Sequence, residues 1–437
     1  MRGAFPPHHE VKMNSTNTQE WKKLKEEIDK RGGCGKAVVE ALREHYSIYN
    51  KKLLTWLGTL YDPKHGGFYY SKSGRFTDDS RFLPDIESTN QATNILISGG
   101  VIGDMKDLPE EMREKMSEFI CSLQSDFDGY IYHPQWGKNI SDSRRGRDLT
   151  WAITMAKKLN INLPYKTANE RISEAKAHNK TEEEKMKAAS SFPSHLKSKE
   201  NLLEYLNGFD WTHGGYFAGN TVAAQIGQIV SAGFDDLVCD YISSVQNKEN
   251  GLWSDSVGFD AVNGAFKISY IYNGSKRLMP YAGQAAMAAM DCITSFDEET
   301  AHVCSLFNTW YTVINLVGNM RRFGDGDARK EADQIVRELL LRAPDAIRAT
   351  TKKISEFQKS DGSFSYCKDR TSCYSQGALV AVPNPDGTQP NEGDVNATSI
   401  SSTGLTSNIY GALDLRDFAV KLFDKEDLKI FLDAIEK

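Results

Sequence analysis

A recurring loop constrains this chain more than any other feature. Five stretches share one design: YDPKHGGFYYS at 61–71, QSDFDGYIYHPQWG at 124–137, FDWTHGGYFAGN at 209–220, QNKENGLWSD at 246–255 and QKSDGSFSYCKD at 358–369. In each, a helical segment ends in a polar residue, a glycine-centred turn follows, and one or two aromatic side chains come next. Like loops along a chain mark a repeated supersecondary unit, and the periodicity around these is helical. Strand patterns are nearly absent. The unit is therefore a helical hairpin, and the expected fold class is all-α.

The helical segments are of two kinds. Those at 85–98, 147–160, 220–232, 260–273, 302–318 and 395–412 are poor in Lys and Glu and dotted with small and neutral polar residues. Those at 37–60, 107–124, 196–208, 234–246, 278–294, 334–357 and 416–436 carry most of the charge, as in EEMREKMSEF and RKEADQIVREL. A helix that avoids charge belongs inside, and one with a single charged face belongs at the surface. Six inner helices alternating with about six outer ones predict an (α/α)6 toroid, or barrel, with a central cavity. The expected layout is a flexible N-terminal arm at 1–18 and a single toroid domain over 19–437. A Lys/Glu-dense insertion is expected at 165–199.

Two of the loops carry a family resemblance. Gln246 to Trp253 reads Q-x4-G-x-W, and Gln358 to Phe364 reads Q-x3-G-x-F. Both resemble the QW-type repeats of the terpenoid cyclase and protein prenyltransferase superfamily, in which the Gln and the aromatic tie consecutive hairpins together. Toroid polysaccharide lyases, sugar hydrolases and epimerases are similar in fold. The HGGF run at His65–Phe68, with Gly74 and Arg75 after it, resembles a loop of the N-acylglucosamine epimerase class. The resemblance implies an α/α toroid. Isoprenoid chemistry would need a D-x-D-D motif, and Asp325-Gly326-Asp327 is too short to be one. A zinc site of the prenyltransferase kind would need an Asp motif beside His302 and Cys304, and none accompanies them. No metal and no cofactor is expected.

The inner segments carry polar rows at helical spacing. These are Glu87, Gln91 and Asn94; Arg147, Trp151 and Thr154; Thr221, Gln225 and Gln228; Asp260, Asn263, Lys267 and Tyr270; Asn308, Thr312 and Asn315; and Asn396, Ser399 and Thr403. Solvated faces elsewhere in the chain are rich in Lys and Glu, so these mostly uncharged rows predict a polar cavity. Buried amides and hydroxyls left unpaired would cost about 1–3 kcal/mol each. A polar cavity suits a sugar better than a hydrocarbon. Loop aromatics such as Trp136, Trp211 and Trp253 offer flat faces to pyranose rings, or else pack one repeat on the next.

Chemistry can be assigned to these positions in two ways. Arg144, Arg145 and Arg147 cluster in SDSRRGRDL, and a guanidinium binds a carboxylate through parallel hydrogen bonds. Beside a polar cavity this cluster suggests an acidic, uronic-acid-containing oligosaccharide as substrate, and its other reading is a salt-bridged loop. Elimination from a uronate needs a group to neutralise the carboxylate, a base and an acid. Asn263, Lys267, Tyr270, His133 and His213 supply those types. Hydrolysis instead needs two carboxylates. Asp85, Glu87, Asp148, Asp260, Glu392 and Asp394 all fall near inner-helix starts, where they also serve as ordinary N-caps. Glu87, Asp260, Lys267, Tyr270, His133 and His213 are the catalytic candidates. Asp85, Gln91, Trp136, Arg144, Arg147, Asp148, Trp151, Trp211, Gln225, Trp253, Asn263, Asn308, Asp394 and Asn396 are the substrate-binding ones. The alternatives are an isoprenoid-transforming enzyme and a non-catalytic glycan- or peptide-binding toroid.

Composition excludes little beyond this. A net charge of -6 gives no reason to expect nucleic acid as partner, and no apolar run approaches a membrane span. No signal peptide is visible, and the seven scattered cysteines lack C-x-x-C spacing. The expected setting is the cytoplasm, with Cys367 and Cys373 either paired or, as elsewhere in the chain, free.

Overall fold

The structure, a computed structural model, describes residues 15–167, 170 and 194–435. It is predominantly helical, and its only strands among the described residues are two short hairpins: β1 (Tyr61–Asp62) with β2 (Gly67–Phe68), and β3 (Tyr374–Ser375) with β4 (Ala378–Leu379). The main helices are α1 (Ser15–Lys30), α2 (Gly35–Ser47), α3 (Lys52–Thr59), α4 (Ile86–Gly99), α5 (Glu110–Ser122) and α6 (Asp142–Leu159). Next come α7 (Lys199–Asn207), α8 (Gly215–Ala223), α9 (Ile226–Ala232), α10 (Asp235–Ser244), α11 (Phe259–Gly274) and α12 (Ala282–Thr294). Last are α13 (Val303–Phe323), α14 (Gly326–Ser355), α15 (Val395–Ser399), α16 (Leu405–Ala412) and α17 (Leu428–Ile435). A π-helical turn, Ile400–Gly404, joins α15 to α16 without a break.

The charge-poor helices pack in one succession. α6 lies on α4, α4 on α15, α16 on α13, α13 on α11, and α11 on α8. The charged helices lean on that succession from outside: α5 on α6, α12 on α13, and α14 on α12, α13 and α2. α14 shows why. Ile335, Leu339, Ala343 and Ile347 recur on one buried stripe while its Lys, Arg and Glu residues, Lys353 excepted, stay out of the buried set. α13 needs no such stripe, because Leu306, Thr309, Trp310, Val313 and Leu316 are buried on several sides.

The repeated loops do mechanical work. Gln124, at the end of α5, exchanges two hydrogen bonds with the Tyr165 backbone, as donor at 2.9 Å and as acceptor at 2.8 Å. Gln246, after α10, donates to Gly251 O in its own loop and to Pro280 O beyond α11. Gln358, after α14, donates to Ile48 O beyond α2 at 2.6 Å. Each glutamine thus stitches the end of one hairpin to a connection of another.

A second repeat was not legible in the sequence. Asp85 caps α4, accepting from Ser88 N at 2.9 Å, and Thr89 one turn on accepts from Phe68 N at 3.0 Å. Asp394 caps α15, accepting from Ala397 N at 2.7 Å, and Thr398 accepts from Phe364 N at 3.0 Å. The spacing Asp-x-x-x-Thr therefore ties each loop aromatic to the helix that follows it.

Several boundaries differ from the sequence reading. The segment 37–60 is two helices, because the Asn50 side chain accepts from Lys52 N and restarts the chain there. The segment 220–232 is broken near Gln225. In place of a helix over 416–436 there are two short 3-10 turns followed by α17. Helix α1 begins at Ser15, inside the stretch read as an arm. The rest of that arm, and most of the insertion expected at 165–199, lie outside the described residues. Among the described residues, no helix is long and apolar enough to cross a membrane.

Candidate functional site

The first turns of the charge-poor helices hold two adjoining groups of polar side chains. One is sealed and the other is open.

The sealed group centres on Arg144, whose side chain is fully buried. Arg144 lies in the first turn of α6, which Ser141 caps by accepting from Arg144 N. Its Nε donates to Asp148 Oδ1 at 2.9 Å, one turn along the same helix. Its Nη1 donates to Glu87 Oε2 at 3.0 Å and to the carbonyl of Ser375 at 2.9 Å. Asp85 stands 3.7 Å away, and the rings of Trp136 and Trp151 lie 5.1 and 5.6 Å from the guanidinium carbon. Ser375 closes the group from above, its hydroxyl donating to Glu87 at 2.6 Å.

Three carboxylates thus share one buried cation. Burial outweighs the attraction of Arg144 and pushes the Asp148 carboxyl up to about 7. It raises Glu87 as well. Asp394 is also completely buried, with Thr371 and Ala397 N as donors, and burial pushes it up to about 7. His133 lies beside this group, stacked on Trp136 at 4.0 Å between centroids. Its Nδ1 accepts from Gln135 N, which leaves Nε2 to donate to Pro84 O. Both ring nitrogens are committed, and burial lowers the imidazole pKa.

The open group is a cavity of about 700 Å³ at the starts of α8, α11 and α13. His213, Tyr216, Phe217, Asp260, Asn263, Glu299, His302, Ser305 and Tyr366 line it, with Trp253 and Phe259 behind. Glu298 accepts from Phe259 N at 2.9 Å and so holds the start of α11. His302 stacks on Tyr366 at 5.2 Å, and burial lowers its pKa while the charge of Asp260 opposes the shift. His213 is exposed and leans on Asp210 at 3.1 Å. One turn beyond Asn263, the Lys267 ammonium sits 5.3 Å over the ring of Tyr216. Lys267 has no ion pair among the described residues, and burial, with the like charge of Arg147, pulls it down to about 8. Arg147 likewise forms no ion pair or hydrogen bond among the described residues.

The electrostatics connect the two groups. Arg147 on α6 acts on Glu87 of α4, on Tyr216 of α8 and on Lys267 of α11. Cys304 of α13 feels Lys267 and Asp394, and burial pushes its thiol up to about 11. These side chains stand on or at the starts of α4, α6, α8, α11, α13 and α15.

The remaining candidates sit elsewhere in that interior or outside it. Gln91 donates to Asn396 at 3.4 Å, joining α4 to α15. Asn308 is buried in α13, where its carbonyl accepts from Thr312. Tyr270 packs on Phe266, and burial holds its phenol pKa high. Trp211 and Trp253 are core residues whose indole N–H groups donate to Leu206 O and Ile242 O, closing their own hairpins. Gln225 is engaged by Tyr205 and His195, away from the cavity. The Gln228 side chain lies outside what the structure describes. Cys367 and Cys373 are both free thiols. Ser375, Glu299 and Tyr366 were not among the sequence candidates, since each stands in an irregular connection with no periodicity to expose it.

Comparisons with protein-family models, with curated proteins and with solved structures return no match.

Proposed function

We propose that this chain is an (α/α)6 toroid that acts on an acidic oligosaccharide in its central cavity, by elimination. The succession α6, α4, α15–α16, α13, α11, α8 supports the ring, and so does the reach of Arg147 from α6 to side chains on α8 and α11. The observation that carries the function is a cavity of sugar size with a polar lining, behind whose Tyr216 stands Lys267, a cation without an ion pair among the described residues. Carboxylates, imidazoles and hydroxyls in the lining favour a polyhydroxylated ligand over a hydrocarbon.

In this reading Arg147 and the Asn263 amide hold the uronate carboxylate, which acidifies the neighbouring C–H. Lys267, neutral in an appreciable fraction near pH 8, removes that proton. The C–O bond beyond it breaks, a C=C bond forms, and the Tyr216 phenol, whose pKa burial raises, protonates the departing oxygen. Hydrolysis is the second reading, favoured by Asp260 and Glu299 in the same lining.

The test is incubation with a panel of uronic-acid oligosaccharides, followed by ultraviolet absorbance of the unsaturated product and by mass. New absorbance that disappears in Lys267→Met supports elimination. Cleavage without absorbance transfers the chemistry to the carboxylates. Absence of any product removes acidic sugars and brings isoprenoid diphosphates forward as the next substrates to try.

A further inference from the structure

The sealed group around Arg144 contains polar atoms that the protein itself does not satisfy. Among the described residues, Arg144 Nη2, Asp148 Oδ2 and Trp136 Nε1 are all buried without a hydrogen-bond partner, Asp85 Oδ1 standing 3.7 Å from Nη2. A buried donor or acceptor left alone costs about 1–3 kcal/mol, and more when charged, so such a trio is unusual around one guanidinium. The donors and the acceptor call for a group that can accept from N–H and donate to a carboxylate at once. A hydroxyl does both.

The element that covers the group already imitates such a ligand. Ser375 presents one O–H, which Glu87 accepts at 2.6 Å, and one oxygen acceptor, its carbonyl, which takes Arg144 Nη1 at 2.9 Å. A donor oxygen and an acceptor oxygen joined by a short carbon chain is a pattern that a pair of sugar hydroxyls also offers. The covering element is a separable unit. β3 and β4 form a two-residue hairpin whose turn, Gln376–Gly377, has both residues at positive φ. It lies within an irregular stretch of 29 residues between Phe364 and Asp394, far longer than ordinary connections. Its apolar contacts belong to a small cluster of Tyr70, Cys373, Ala378, Val380 and Ala381, distinct from the main core. Beyond Ser375, the hairpin is held by Gln135 donating to Leu379 O at 2.9 Å. A unit with its own small core and few ties can open without unfolding the rest.

We propose that Glu87, Arg144 and Asp148 form a binding site for a pair of hydroxyls of one ligand, a diol, and that the Tyr374–Leu379 hairpin occupies it until a polyhydroxylated ligand takes its place. Trp136 and Trp151 flank the guanidinium and would border the ring that carries the diol. The choice of a sugar as that ligand rests on the function proposed above, whereas the diol chemistry of the site does not. The site shares no lining residue with the cavity of Asn263, so the two can be tested separately.

The experiment uses the full chain and the neutral monosaccharides glucose, galactose and mannose, read by tryptophan fluorescence and by amide hydrogen exchange over 374–381. The expected result is saturable binding by at least one sugar, with faster exchange in the hairpin as it is displaced. Ser375→Ala removes the hairpin's donor and should raise hairpin exchange and sugar affinity together, by about tenfold. Asp148→Asn, isosteric and able to keep its contact with Arg144 Nε, should lower affinity by about tenfold. Hairpin exchange that ignores every sugar in both the wild type and Ser375→Ala overturns the proposal. So does faster exchange in Ser375→Ala with no gain in affinity, since the hairpin would then be packing alone. Sugar-driven release of the hairpin without conversion of any uronate oligosaccharide leaves this site standing and the catalytic reading fallen. Conversion with a hairpin indifferent to sugars means the reverse.

Discussion

Asp148 makes the stability of this protein depend on pH in a direction opposite to that of most surface carboxylates. An unfolded Asp titrates near 3.9, whereas burial holds Asp148 at about 7 in the folded chain. Folding therefore takes up a proton on this residue. The stabilisation is complete below the unfolded value and is lost as pH rises through the folded one. At about 1.4 kcal/mol per pKa unit, a lone group shifted this far would carry roughly 4 kcal/mol. Asp148 is not alone, because Glu87 and Asp85 compete for the same guanidinium, and about 2 kcal/mol is the change expected to be readable. Asp148→Asn mimics the protonated carboxyl, with an amide N–H where Oδ2 lacks a partner. It should match the wild type at pH 3.5 and exceed it by about 2 kcal/mol at pH 8, measured by urea unfolding at both values. A variant less stable than the wild type at pH 8 by 1 kcal/mol or more would refute the reasoning, for it would mean that Asp148 is a working ion-pair partner.

Other substitutions test neighbouring parts of the argument. Arg144→Met leaves three carboxylates without their cation and should cost about 3–5 kcal/mol, read by the same unfolding assay at pH 7. Gln358→Ala loses the bond to Ile48 O and should lower stability by about 1–2 kcal/mol without changing the circular dichroism of the helices. Gly66→Ala should cost about 2 kcal/mol or more in thermal unfolding, because Gly66 has φ +78° and an added Cβ would collide with the Lys115 carbonyl. If Lys267 is the base, the uronate reaction rate should rise with pH through about 8, and Lys267→Met should abolish that rise along with the activity.

The helices were legible because their signal is local. Ile335, Leu339, Ala343 and Ile347 declare a buried stripe by spacing alone, and Gly100, at φ +94°, declares where α4 stops. The tying role of the loop glutamines was an expectation taken from their resemblance to QW-type repeats, and Gln246 and Gln358 do bond to a connection of another hairpin. What escaped were pairings set by tertiary structure. Ser375 meets Glu87 across 288 residues, and nothing in the composition of the 364–394 stretch announces that meeting. The three arginines at 144–147 looked alike as sequence. Their positions on the helix separate them: Arg144 turns inward onto carboxylates, while Arg147, one turn on, faces the region of Lys267. Trp211 and Trp253, read as rim or packing residues, are both buried with the indole N–H closing the hairpin, and Trp253 also lines the open cavity.

The stitching of α3 to α17 bears on how the protein is made. Gly58 lies so close to Phe431 that a Cβ would strike the Phe431 carbonyl, and Phe68 stacks on the Phe431 ring at 6.1 Å. The contact of α3 with α17 consequently cannot form until some 370 further residues have been added, which at about 5–20 residues per second takes roughly 20–70 seconds. Until then the face of α3 that meets α17 is open to chaperones and proteases.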